Sequence, residues 1–167
     1  MRKSLFLAFV LSVLCLSAQA KKYPFDMDHG YQVEQIRVAQ GESRFIKVWG
    51  ISSGVDKAII RAQQDAVAAC IFEGIPACQV AGAVPPLCAE GRKAYEAHKA
   101  YFDEFFIRGE FLNYAKNTNT RYPTGENNVS TPEGRKVAIY VQLDVQQLRK
   151  KLEADGIIKS FENVFDK

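Results

Sequence analysis

The sequence predicts an α+β fold: an antiparallel sheet of about four strands, in the order β-β-α-α-β-β-α, packed against helices. Three observations carry that reading. A strand–turn–helix unit runs from Arg44 to Pro76. The segment from Arg135 to Leu143 has the cleanest two-residue alternation in the chain. Strands and helices do not alternate in the strand–helix–strand manner of a parallel sheet, and no internal repeat is evident.

In the first unit, Phe45 to Ile51 reads as a strand with apolar residues in both registers: Phe45, Trp49 and Ile51 in one, Ile46 and Val48 in the other. Two apolar faces belong to a strand in the middle of a sheet. Ser52-Ser53-Gly54 forms a turn, and one long helix runs from Val55 to Phe72. Val55, Ile59, Ala62, Ala66 and Cys70 recur at steps of three or four, with Lys57, Arg61, Gln64 and Asp65 on the opposite side. Ser53 with Asp56 has the spacing of a capping box, Gly74 suits the left-handed residue after the last turn, and Pro76 blocks continuation. Ala58, Ala62, Ala66 and Ala69 would let the helix lie close against a sheet.

Before this unit, Lys21 to Gly30 shows no period and reads as a loose lead-in. Tyr31 to Ala39 reads as a first strand whose apolar set changes phase, which places a bulge near Glu34 or Gln35. Gln40 to Ser43 turns it into a hairpin with the second strand. After the long helix, Glu73 to Glu90 is a Gly-, Pro- and Cys-rich connection of a length that is often functional. A second helix from Arg92 to Ile107 carries Tyr95, His98, Phe102, Phe105 and Phe106 along one side. Phe111 to Ala115 reads as a third strand, and Asn117 to Gly134 as a second long, polar loop. In the fourth strand Val137, Ile139, Val141 and Leu143 point one way and Lys136, Tyr140 and Gln142 the other. Asp144 with Gln147 caps a last helix with Val145, Leu148 and Leu152 buried, and the tail still holds Phe161 and Phe165.

The first 20 residues stand outside this pattern. Arg2 and Lys3, an apolar run from Leu5 to Leu16 and Ala18-Gln19-Ala20 have the layout of a secretory signal peptide, and the run is too short for a membrane span. Lipidation of Cys15 is the competing reading, disfavoured by the large Leu14 before it. Cleavage after Ala20 leaves residues 21–167 as one domain, exported to the periplasm, the outer membrane or beyond. Without Arg2 and Lys3, the 22 basic residues become 20 against 19 acidic ones, a net charge of about +1. That balance shows no clustered basic face of the kind nucleic acid requires.

Three cysteines remain, Cys70, Cys78 and Cys88, in a chain expected to meet an oxidising compartment. Cys70 lies on the apolar stripe. A Cys78–Cys88 disulfide is the favoured pairing and Cys70–Cys78 the rival.

No catalytic set, cofactor motif or metal site emerges. The glycines around Ser52 and Ser53 miss both phosphate-loop spacings. His98 beside Tyr95 and Phe102 reads as a half-buried structural histidine, and a Cys–His nucleophile would need a reduced Cys78 or Cys88 nearby. His29 beside Asp26 and Asp28 reads as solvated. Exposed aromatics are the better lead. Tyr114, Tyr122 and Tyr140 are candidates for an interaction surface, and Tyr114 and Tyr140 could share the sheet's outer face.

The run Val48-Trp49-Gly50-Ile51, then Asp56 to Ala62 and Ala66 to Ala69, resembles the N-terminal domain of flagellar assembly protein T and small outer-membrane lipoproteins related to it. Phe72-Glu73-Gly74-Ile75-Pro76 and Phe102-Asp103-Glu104-Phe105-Phe106 are similar to stretches of secreted proteins of Gram-negative bacteria. The resemblance implies an envelope domain with no catalytic residues to carry over. The sequence therefore favours a non-catalytic binding or assembly module whose partner is another envelope protein. The alternative is a small-molecule-binding protein or small hydrolase with a pocket near residues 73–90, Tyr95 and His98.

Overall fold

The computed structural model describes residues 22–28, 30–39 and 43–159. The expected signal peptide, Cys15, His29, most of the first turn and the tail phenylalanines lie outside the described residues. A five-stranded antiparallel sheet carries β1 (Gln32–Val38), β2 (Arg44–Ser52), β3 (Ala115–Asn117), β4 (Asn128–Thr131) and β5 (Gly134–Leu143). Its order is β1-β2-β5-β3, with β4 also paired to β5. The α+β class holds, and β2 is central as its two apolar registers require. The register shifts between Gln35 and Arg37, so the first strand is bulged where its apolar phase changes.

The helix α1 (Val55–Phe72) has the bounds that its stripe predicts. It lies across the sheet's inner face, over Ile46 and Val48 of β2 and Val137, Ile139, Val141 and Leu143 of β5, all fully buried. Its seat is Gly50. A Cβ there would stand 2.5 Å from the Ala62 nitrogen and closer still to the Ala58 carbonyl oxygen. Glycine below and alanines above thus bring backbone to backbone, where no larger side chain fits. At the other end Gly74, with φ +86, lets its N–H bond back to the Ala69 carbonyl at 2.7 Å and closes the helix. The N-terminus departs from expectation. Gly54 is the N-cap and no side chain caps it; Ser53 accepts from Lys57 Nζ at 3.3 Å, and Asp56 accepts from the Tyr122 hydroxyl at 2.7 Å.

The polar side of α1 also departs from its sequence reading, because Gln64 and Asp65 are buried. A third layer covers the helix. The second helix is two, α2 (Arg92–Ala97) and α3 (Lys99–Ile107), broken at His98 with φ −119 and ψ 30. Across the break the Tyr95 and Phe102 rings lie 6.2 Å apart, and both rest against Phe72. The lead-in, read as loose, is docked: Phe25 stacks on Phe106 at 3.9 Å, and Tyr23 meets Phe111 edge-on at 5.6 Å.

Two further corrections concern the second half. Glu110–Asn113 is a 3-10 turn, so the strand expected at Phe111 starts only at Ala115. Local bonds such as Tyr114 N–H to the Phe111 carbonyl replace ladder bonds there. The polar loop expected from Asn117 to Gly134 contains β4, which pairs with β5 across a Pro132-Glu133 turn. Its residues alternate too little to be legible because an edge strand outside the core has no buried face to mark. The last helix, α4 (Val145–Ala154), is capped as predicted, Gln147 N–H donating to Asp144 Oδ1 at 3.0 Å, with Leu148 and Leu152 buried. No helix among the described residues is long and apolar enough to cross a membrane.

The seat of α1 makes a sharp prediction. Gly50→Ala should destabilise the fold by about 3 kcal/mol or more. Gly54→Ala, where a Cβ meets open space, should be nearly neutral. Urea midpoints of the two variants check both.

Candidate binding face

Among the described residues no helix packs on the sheet's outer face; α1 packs the sheet from the opposite side. Register places its residues in rows. Arg37, Phe45, Gln142 and Lys116 form one, and Glu34, Lys47 and Tyr140 the next. Gln32, Trp49 and Ala138 follow, then Ile51, Lys136 and Val129. Phe45 and Tyr140 stack with ring centroids 5.8 Å apart and planes 6° off parallel. The Arg37 guanidinium lies 4.8 Å from the Phe45 ring centre, and Lys47 Nζ lies 4.9 Å from that of Trp49. Each cation thereby packs its stem on a ring and leaves its charge at the surface. Among the described residues of these rows, Arg37, Lys47, Lys116 and Lys136 stand against one acid, Glu34, so the face is both aromatic and basic. Such a surface favours an acidic partner and aromatic anchoring.

The rim of this face is pinned by side chains of the polar excursion. β3 and β4 occupy the same edge of β5 and leave a gap at Tyr140. There Asn119 Oδ1 accepts the Tyr140 N–H at 2.7 Å, while the Thr118 N–H and hydroxyl donate to the Tyr140 carbonyl at 2.9 and 3.0 Å. The ladder continues through an asparagine side chain, and Tyr140 is held as firmly as a paired residue.

Of the three tyrosines expected to form a surface, this one lies on the outer face. Tyr114 does not share it. Tyr114 stands at the end of the 3-10 turn, its ring stacked on Phe105 at 6.1 Å. Tyr122 is exposed and ties the excursion to the start of α1 through Asp56. The residues that sequence reasoning missed are Arg37, Lys47 and Trp49. Their shared register on β1 and β2 was legible, but the absence of a covering layer was not.

The second expected site is divided: clefts do run along the 73–90 connection, but Tyr95 and His98 stand apart from them. Tyr95 is buried among aromatic rings, and its hydroxyl donates to Asp103 Oδ1 at 2.6 Å, beside Lys99. His98 is the half-buried helix break. The clefts along residues 73–86 are lined by groups such as Tyr31, Val33, Glu73, Cys78 and Pro86, without Tyr95 or His98.

The expected Cys78–Cys88 disulfide is not formed in this structure, in which Cys70, Cys78 and Cys88 all stand unpaired. Bridges Ile75–Val84 and Cys78–Ala81 fold the connection into a small hairpin. Cys78 near its tip donates to the Ile36 carbonyl of β1 at 3.5 Å. Cys88 lies past the hairpin, buried, its N–H on the Ile71 carbonyl at 2.8 Å. Burial pushes the Cys70 thiol up to about 12 and the Cys88 thiol up to about 11, so neither is a thiolate nucleophile near neutral pH. Alkylation should label Cys78 in the native protein, with Cys70 and Cys88 protected, and all three after denaturation without reductant. A Cys78–Cys88 bridge would leave one.

Asp65 is the unusual titratable group. It is fully buried on α1, with Arg61 Nε 3.0 Å from its Oδ1. Burial raises its carboxyl from 3.8 to about 7, against the pull of Arg61. A carboxyl raised by folding favours the protonated fold. That contribution is complete below about pH 4 and is lost as the pH rises through about 7. Asp65→Asn cannot ionise. Its urea-unfolding free energy should therefore gain on the wild type by roughly 2–3 kcal/mol between about pH 5 and about pH 8. Parallel curves would mean that Arg61 keeps Asp65 ionised inside the fold.

No group of three or more His, Cys, Asp or Glu side chains among the described residues is placed to hold a metal. Comparison with protein families, with curated proteins and with solved structures finds no match to this chain.

Proposed function

We propose that this chain is an exported bacterial envelope protein, a non-catalytic binding module that docks an acidic surface of another envelope protein. One observation carries the reading: the outer sheet face is half-exposed and aromatic, and its described residues present four cations against one carboxylate. The leader-like N-terminus and the resemblance to flagellar assembly protein T supply the compartment. Rigid backing by α1 suits a docking role, since a preformed face loses little entropy on binding. The reading of a pocket at Tyr95 and His98 has no comparable support, because the Tyr95 ring is packed and its hydroxyl engaged.

A deletion of residues 118–131 would remove β4 and the Asn119 contact together, so point changes make the cleaner test. A photo-crosslinking amino acid at position 140 should trap one discrete envelope protein in intact cells, and the same group at the exposed Lys93 should not. That protein, purified, should bind wild type and bind Lys47→Glu/Lys136→Glu about tenfold more weakly or worse, with affinity falling as salt rises. Equal adducts from both positions, or affinity untouched by charge reversal, would reject the outer face as the docking surface.

A further inference from the structure

A second site opens at the end of β2, in a cleft of about 640 Å³ that shares Ile51 with the last row of the outer face. Its walls come from three places: the lead-in, the end of β2 and the first half of α1. Tyr23, Pro24, Ile51 and Ile60 line it with apolar surface, and Lys22, Lys57 and Arg61 bring cations to it. Ser52, Ser53 and Gln64 complete the lining, which contains no carboxylate. The nearest acids on α1 are engaged elsewhere, Asp56 by the Tyr122 hydroxyl and Asp65 by Arg61.

The cleft is built rather than incidental. The Tyr23 N–H donates to the Ile107 carbonyl at 3.1 Å and its ring lies against Phe111, so the lead-in is fixed at that point. The next carbonyl, that of Pro24, accepts from the Gln64 Nε2 at 3.3 Å. Gln64 is itself 2% exposed, and a buried amide spent on holding the lead-in against α1 keeps the wall in place. Lys57 reaches back to the Ser53 hydroxyl at 3.3 Å and stands over the mouth.

We infer that this cleft binds an amphipathic anion, a medium-length acyl chain ending in a carboxylate. The volume falls in the range of ordinary small-molecule sites, and apolar walls with a few convergent charges are how such sites fix orientation. The chain lies on Ile51, Ile60 and the Tyr23–Pro24 wall. The carboxylate meets Lys57 and Lys22, beside the positive end of α1. Arg61, whose Nε faces Asp65, has further N–H groups to offer the same carboxylate.

Calorimetric titration of the purified protein with dodecanoate, below its micelle concentration, tests the inference. Saturable binding of one molecule per chain is expected, with dodecyltrimethylammonium, which has the same tail and the opposite charge, failing to bind. Lys57→Glu should weaken dodecanoate by about tenfold or more, and Ile60→Ser should weaken it with the cation set intact. Lys93→Glu, on an exposed face of α2, should leave it unchanged. Both Lys57 and Lys93 are exposed, so folding is not at stake in the charge variants. Phosphatidylglycerol vesicles form a second arm: displacement at constant free dodecanoate would show that a membrane lipid's phosphodiester and acyl chains take the same site, and no displacement that it takes the free carboxylate. Equal binding of the cationic detergent, or dodecanoate affinity unaltered in Lys57→Glu and Ile60→Ser, would overturn the site.

Discussion

The contact on which the rest of this structure depends is the one between Gly50 and the alanine side of α1. Backbone approach at that distance permits no Cβ on the strand and nothing larger than a methyl on the helix. It brings α1 low enough for Ile46, Val48, Val137 and Ile139 to be sealed beneath it. It also leaves the upper side of α1 close to the molecule's centre rather than at its surface. A helix so placed must be covered again, and residues 64–72 are buried without interruption. Aromatic rings from the lead-in, α2 and α3 and the 3-10 turn supply that cover, with Phe25 as the piece that joins the N-terminal segment to it.

This layering explains where the polar groups go. Gln64 and Asp65 occupy the side of α1 that would face water in a two-layer protein. Here they meet the lead-in, so Gln64 becomes a tether for Pro24 and Asp65 a buried partner of Arg61. The same tether shapes the cation-lined cleft, which exists because the lead-in is held beside α1 without filling the space above Ile51 and Ile60. Among the described residues the sheet's other face has no such cover. Its apolar residues are instead interleaved with cations, Arg37 on Phe45 and Lys47 on Trp49. The rings are shielded from water in part, and the basic charge is left outward. Two surfaces of opposite construction result: one flat, rigid and suited to a macromolecule, one recessed and sized for a small anion.

The edge of β5 shows how an irregular segment is made to serve a regular one. β3 and β4 are short, and the excursion between them would break the ladder at Tyr140. Thr118 and Asn119 close that gap with side-chain and backbone bonds, Tyr122 fastens the excursion to α1, and Arg135 bonds Asn128 and Ser130 across β4. Polar residues with no hydrophobic pattern therefore carry sheet structure. The same holds for the 73–90 connection, whose hairpin is recorded by two isolated bridges rather than by any alternation.

By itself the sequence determined the fold class, the span of α1 and its glycine-closed C-terminus, the central position of β2, the bulge in β1 and the capped last helix. Each of these follows from local periodicity or from a residue with restricted geometry, and such signals act within a few residues. Only the tertiary structure decided that Cys78 and Cys88 stay apart and that Tyr114 turns away from Tyr140. It alone settled that His98 breaks a helix, that Phe25 anchors the lead-in, and that Asp65 is buried. These outcomes depend on which element covers which. A stripe of alanines announces close packing, but the partner across it, and the face left open behind that partner, are chosen by the whole chain at once.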